Sequence, residues 1–186
     1  MTRPAASPIV LSSYDPDWPR LFAEERQRLQ AAIDEWAVVI EHVGSTSIPG
    51  IAAKPIIDIV VAVAELVDEL KCITPLVEIG YDCKGEFGIP ERVYFRKTTD
   101  TPLPGQVTNG IGRTHQIHMF QRDNIEVERH IAFRDYLRAN PDARQAYEDL
   151  KRRLAAEHED IEAYADAKSE FVESVLRKAG APERVR

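Results

Sequence analysis

The sequence predicts an α+β fold, a small mixed β-sheet with flanking helices, followed by a C-terminal segment of three helices. Three observations predict it. Short β-branched runs recur between residues 37 and 120 without a regular alternation of strand and helix. After Asp123-Asn124 the chain changes character and runs charged and helix-periodic to about Ala179. Of the 186 residues, 44% are hydrophobic and 30% charged, enough apolar material for a core and too much for global disorder.

The elements follow in order. Residues 1–8 read as a loose, Pro-rich tail, and Ile9-Val10-Leu11 as a short edge strand. Ser13 to Asp17 supplies turn and N-cap chemistry. From about Pro16 to Glu35, the spacing of Leu21, Phe22, Leu29, Ala32 and Ile33 is helical. Ala37 to Ile40 is β-branched and short, a strand that runs into a polar loop from Glu41 to Ser47. Ile56 to Val63 reads as a second, buried strand. Residues 64–79 look helical, with Pro75 placed to bend or break the helix. Tyr81–Phe87 and Arg92–Lys97 read as strands around a Gly85/Gly88/Pro90 turn region. Residues 98–113 form the longest loop and His115–Phe120 a further strand. The three C-terminal helices cover roughly 125–139, 142–158 and 160–179, parted by Asn140-Pro141-Asp142 and Glu159-Asp160. No Gly/Pro/Ser linker sets them apart, so residues 1–186 read as one domain, an 8–122 core with helices 124–180 packed on it.

Composition excludes several classes of function. The formal net charge is -7, from 31 Asp+Glu against 24 Lys+Arg, which disfavours a basic nucleic-acid-binding domain. The most apolar run, Ile56 to Ala64, is short and interrupted by Asp58, so no membrane span is expected. The first ten residues contain no apolar h-region. Cys72 and Cys83 show no metal-like pairing, and a reducing cytoplasm is the expected compartment.

Asp58 does not fit a bland core. A carboxylate inside an Ile/Val run is costly unless it is paired, hydrogen-bonded or beside a metal, and Lys54 or an arginine could be its partner. The loop Gly44-Ser45-Thr46-Ser47 follows a strand and offers glycine, hydroxyls and N–H groups to a phosphate. Strand alternation puts Arg92, Tyr94 and Arg96 on one face, a cationic stripe suited to phosphate or carboxylate, or a solvated edge. His115 and His118, three apart on a strand, point to opposite faces, so they form no joint metal pair. Lys168 lies on the stripe Tyr164, Lys168, Phe171, Val175, where it either snorkels past the apolar face or reaches into a cleft.

Val43-Gly44-Ser45 and Ile57-Asp58-Ile59 together resemble the opening motif of the nucleotidyltransferase superfamily. The longer string from Ile40 to Ile59 closely resembles the GrpB family (UPF0157 type), known also as a C-terminal domain fused to some dephospho-CoA kinases. Tyr94-Phe95-Arg96-Lys97, Thr114 to His118, Phe133 to Arg138 and Tyr164…Lys168…Phe171 extend the likeness over about residues 8–178. The resemblance implies a nucleotidyltransferase-like sheet with the Gly-Ser loop facing a nucleotide phosphate tail. It assigns a nucleotide or other phosphate-bearing molecule to Gly44, Ser45, Thr46, Ser47, Lys54, Arg92, Tyr94 and Arg96. On a transferase reading the chemistry, and a divalent ion (Mg²⁺, Mn²⁺ or Zn²⁺), would fall to Asp58 with His118. The chain departs from the superfamily where a second carboxylate should stand, because that position is Val60. A later strand offers His118 in place of the third acid. Two readings stay open: a divergent transferase with an unknown acceptor, or a non-catalytic module that binds a ligand or a protein partner.

Overall fold

The Ile/Val run becomes β2 (Ile57–Val63), and the sheet is built outward from it. The computed structural model describes residues 9–99 and 112–184. The other strands are β1 (Ala37–Val43), β3 (Tyr81–Cys83), β4 (Val93–Thr99) and β5 (Gly112–Gln121), in spatial order β1-β2-β5-β4-β3. β2 and β5 are parallel and every other pair is antiparallel, so the sheet is mixed and the fold is α+β. The helices are α1 (Trp18–Ile33), α2 (Leu66–Glu78), α3 (Ile125–Ala139), α4 (Pro141–Glu157), α5 (Ile161–Asp166) and α6 (Ser169–Lys178).

Each face of the sheet has its own cover. Ile57, Ile59, Val61, Val63, Ile117, Met119 and Phe95 bury against α1 and α2 through Trp18, Leu29, Ile33, Cys72 and Leu76. On the opposite face Val43, Val60, Ala62 and Phe120 pack on Val127 and Ile131 of α3. With both faces covered, β2 has no polar face to present except at Asp58, which is why it reads as a nearly continuous apolar run.

Several expectations need correction. β1 continues through Glu41, His42 and Val43, which the sequence places in the polar loop; His42 faces the α1 core and Glu41 the α3 side. Ile9–Leu11 forms no strand, and only an isolated bridge joins Ser12 to Ala53. β3 ends at Cys83. α2 runs past Pro75 to Glu78. The last C-terminal helix is two, because the chain turns at Ala167-Lys168 between α5 and α6. The tail before residue 9 and most of the 98–113 loop lie outside the described residues.

The C-terminal helices grip the 44–56 segment. Arg134 donates to Glu41 Oε2 at 2.7 Å and to the His42 carbonyl at 2.9 Å. Arg138 donates twice to the Ser47 carbonyl. Glu148 accepts from the Ala52 N–H at 2.7 Å, and Lys151 donates to the Ala52 carbonyl. Ile48 and Ile51 sit under Leu137, Tyr147 and Val175. Helices far along the chain thus fix the loop between β1 and β2 and wall one side of the space above it.

Candidate functional site

Asp58 stands opposite Val43 at the end of β1 and in register with Gln116 on β5, which is itself opposite Arg96 on β4. Asp58, Gln116 and Arg96 therefore form one row on one face. The next row holds Val60, His118 and Tyr94. The carboxylate is half-buried and meets Gly44 closely: a Cβ there would lie 2.5 Å from Asp58 Oδ2. Gly44 also has φ of 68°, a left-handed backbone that favours glycine. Two independent reasons thus fix glycine at position 44.

The hydroxyl loop divides by function. Ser45 lines the cleft beside Asp58, on the same cavity as Tyr147. Ser47 does not reach the cleft, because its hydroxyl donates to the Gly44 carbonyl at 2.6 Å and the residue is buried. Thr46 lines the wall, but its hydroxyl donates to the Ile56 carbonyl and receives the His42 Nε2 proton at 3.0 Å. Burial holds His42 down to about 3, so that ring is neutral. Both hydroxyls satisfy backbone and ring partners of the loop itself, the usual competition for Ser and Thr in turns.

The cleft measures about 190 Å³ and lies between this loop and α4 to α6, with Lys54, Asp58, Gln116, Tyr147, Tyr164 and Lys168 among its lining groups. Two ammonium groups address one ring: Lys168 Nζ lies 3.6 Å and Lys54 Nζ 5.3 Å from the Tyr164 centroid. Among the described residues neither reaches a carboxylate within 4.0 Å. Burial, then repulsion from Lys54 and Lys151, pulls Lys168 down to about 7 against the pull of Asp58. Burial likewise lowers Lys54, with Asp58 acting the other way. Lys151 is different. It is spent on the Ala52 carbonyl and sits 3.7 Å from Glu148, so it closes the wall rather than serving the cavity.

The arginine side also divides. Arg92 is 5% exposed, and its guanidinium donates to the Glu86 and Phe87 carbonyls and to His118 Nδ1. It organises a loop and is not free to hold phosphate. Arg96 is half-buried and lies over Phe87 and Tyr94 at 4.3 and 5.1 Å. With its amide nitrogen toward Asp58, Gln116 donates to Asp58 Oδ1 at 3.2 Å and to the Tyr94 hydroxyl at 2.6 Å, and accepts from Arg113.

These donors do not fit a pair of metal ions. Val60 is fully buried and offers no oxygen. A guanidinium only donates, so His118 Nδ1 must accept from Arg92, which puts the ring proton on Nε2, 3.7 Å from Asp58 Oδ1. A ring in that state presents no lone pair at Nε2 to a metal. Among the described residues no group of three or more His, Cys, Asp and Glu is placed to hold a metal ion. The sequence reading missed Tyr147, Tyr164 and Gln116 as lining residues; only the spacing of Tyr164 and Lys168, four apart on a predicted helix, hinted at the far wall.

Among the described residues no helix is long and apolar enough to cross a membrane. Comparison with known proteins places the chain. A UPF0157 protein from Halalkalibacterium halodurans is 38% identical over 181 residues, covering 96% of this chain and 86% of that protein. A dephospho-CoA kinase from Mycolicibacterium paratuberculosis is 30% identical over 190 residues; the match spans 93% of this chain but only 47% of that longer protein. The crystal structure of the conserved protein GrpB from Enterococcus faecalis superposes with a TM-score of 0.78 at 40% identity, covering 91% of this chain and 96% of that one. The GrpB protein family matches residues 8–178, and the chain belongs to that family.

Proposed function

We propose that this GrpB-family chain binds a phosphate-bearing small molecule in the cleft between the Gly44-Ser45 loop and α4 to α6. One observation carries the reading: two lysines crowd a single tyrosine ring inside a small cavity, with neither ammonium ion-paired. Cations held close together in a half-desolvated space repel, and an anion relieves that repulsion while accepting their hydrogen bonds. Ser45 and Tyr147, which line the same cavity, add hydroxyl donors. Lys54 and Lys168 supply here the positive charge that a metal pair supplies in the nucleotidyltransferase superfamily the motif resembles. A single carboxylate cannot arrange both the attacking and the leaving oxygen through two ions. We therefore infer binding, and assign no nucleotidyl transfer to the cleft. The reading treats the sheet and the C-terminal helices as one working unit, since each supplies a wall; limited proteolysis that released a stable 1–122 fragment would contradict it.

A second reading is supported by the length of the relatives. The chain matches about half of the dephospho-CoA kinases it resembles, so a GrpB-type module can serve a larger protein. Both readings meet if the cleft senses a ligand for a partner. Tripolyphosphate without divalent metal tests the first. It should raise the melting temperature of the wild-type protein by mass action and fail to do so for Lys54→Met. No shift in the wild type contradicts phosphate binding and leaves the partner module as the standing account.

A further inference from the structure

Three lysines line the cleft, and they are not equivalent. Lys151 is committed to the Ala52 carbonyl and sits 3.7 Å from Glu148. Lys54 and Lys168 share the Tyr164 ring, and Lys168 lies closer, with Nζ 3.6 Å from the centroid. Among the described residues Lys168 meets no carboxylate within 4.0 Å. It stands at the N-cap of α6, where Ser, Thr, Asp or Asn is usual and the helix end is positive. Burial, then repulsion from Lys54 and Lys151, disfavours its ammonium, while Asp58 and the ring face favour it. The balance lies at about 7, so near neutral pH a large share of Lys168 is free amine. A clamp for phosphate gains nothing from losing its proton. A desolvated amine flanked by cations is the setting of a lysine that attacks carbonyl carbon.

The rest of the cavity supplies what that attack needs. Ser45 and Tyr147 carry hydroxyls that can donate to a carbonyl oxygen, and Asp58 can carry a proton from nitrogen to oxygen. Burial lowers Lys54 as well, but Asp58 is the next influence and opposes it, and the shift is smaller than that of Lys168. Lys54 is therefore the cation left for a phosphate. The cavity, about 190 Å³, lies below the ~300 Å³ where sites for drug-sized ligands begin, so a short carbon chain with one phosphate suits it.

We propose that Lys168 is a nucleophile that captures a short phosphorylated aldehyde or ketone as a reversible imine, with Lys54 on the phosphate. This rests on the phosphate-binding reading of the cleft and names the second functional group of its ligand. The amine lone pair adds to the carbonyl carbon, and the C=O π pair moves to oxygen. One proton passes from nitrogen to that oxygen to give a carbinolamine. The second follows as the C–O bond breaks and the nitrogen lone pair closes the C=N bond. Both protons leave with the oxygen as water, so the step consumes no oxidant, reductant or further reactant.

The test is reductive trapping on the full chain at pH 7 with dihydroxyacetone phosphate and cyanoborohydride in EDTA, read by peptide mass spectrometry. Lys168 should be labelled at least ~10-fold more than the exposed Lys71, Lys84 and Lys178. Saturating tripolyphosphate should suppress that label, since the two compete for one cleft. Lys168→Arg should reduce the label on the whole chain to the level of the exposed lysines. No label, label spread evenly over the exposed lysines, or label on Lys54 with Lys168 unmodified overturns the capture; the cleft reading stands if tripolyphosphate still raises the wild-type melting temperature. Absence of that rise overturns the cleft reading and the capture with it.

Discussion

Neighbouring rows of one sheet face opposite sides, and each side meets one carboxylate, Glu25 of α1 on one and Asp58 of β2 on the other. In one row Lys97, His115 and Ile57 point toward α1, where Glu25 waits; in the next, Arg96, Gln116 and Asp58 point into the cleft. Glu25 is fully buried and fully answered: Lys97 Nζ and the Tyr81 hydroxyl reach Oε1 at 2.8 Å each, and Arg28 reaches Oε2 at 2.9 Å. Asp58 is half-buried, and the ammonium groups near it are turned to Tyr164 instead. A closed network holds structure together. An open one, with cations gathered but not neutralised, has room for a charge from outside.

That comparison breaks most visibly at Glu25. Glu25→Leu leaves Lys97 and the Tyr81 hydroxyl buried without their acceptor. It should lower unfolding free energy by about 3–5 kcal/mol in urea denaturation while tripolyphosphate affinity holds. Loss of binding at unchanged stability would mean that the two networks are one.

The two sides also titrate in different windows. Burial holds His42 to about 3 and His115 to about 4. Their unfolded counterparts take up protons below about 6.5, so the unfolded state binds more protons and stability falls as pH drops from there. At pH 5 the loss should be about 2 kcal/mol per ring. Lys168 works higher. Its folded value is about 7 and its unfolded value about 10.4, so the same sign rule makes stability rise with pH across that range. Urea midpoints at pH 5, 7 and 9 check both limbs, and Lys168→Met should flatten only the upper one.

Smaller effects sharpen the cleft side. Gly44→Ala forces a Cβ against Asp58 in a left-handed backbone and should cost about 1–2 kcal/mol, with loss of ligand binding. Asp58→Asn should change stability by less than about 1 kcal/mol, because the isosteric amide keeps its place beside Gln116. In metal-free buffer it should tighten tripolyphosphate several-fold by removing a like charge. A variant that lost metal-free binding would show that the carboxylate itself holds the ligand's partner.

The parts of the site that were legible in the sequence are the local ones. Gly44 and Ser45 in a turn just after one strand, and Asp58 on the next, fall within fifteen residues, and strand periodicity alone puts Tyr94 and Arg96 on one face. The partners of the Ser47 and Thr46 hydroxyls and of the Arg92 guanidinium were not legible, for one common reason. Composition says that a donor is present but not which acceptor claims it, and backbone carbonyls three to ten residues away claimed all three. The far wall was illegible because Tyr147 and Tyr164 come from helices about a hundred residues downstream, brought there by Glu148 and Lys151 gripping Ala52. The turn at Ala167-Lys168 carries no Gly or Pro to announce it, yet it sets Lys168 over Tyr164.

The central claim, that the cleft keeps a cation surplus for an incoming anion, meets its most direct test in Lys168→Met. The substitution keeps the length of the side chain and removes a buried charge repelled by Lys54 and Lys151. Melting temperature should be measured with and without tripolyphosphate on the variant and the wild type. Without ligand the variant should melt about 2–4 °C higher, the shift expected for roughly 1 kcal/mol in a chain of this size. The tripolyphosphate shift seen in the wild type should disappear. A variant that melts lower than the wild type and keeps its tripolyphosphate shift would show that Lys168 supports the fold rather than the ligand.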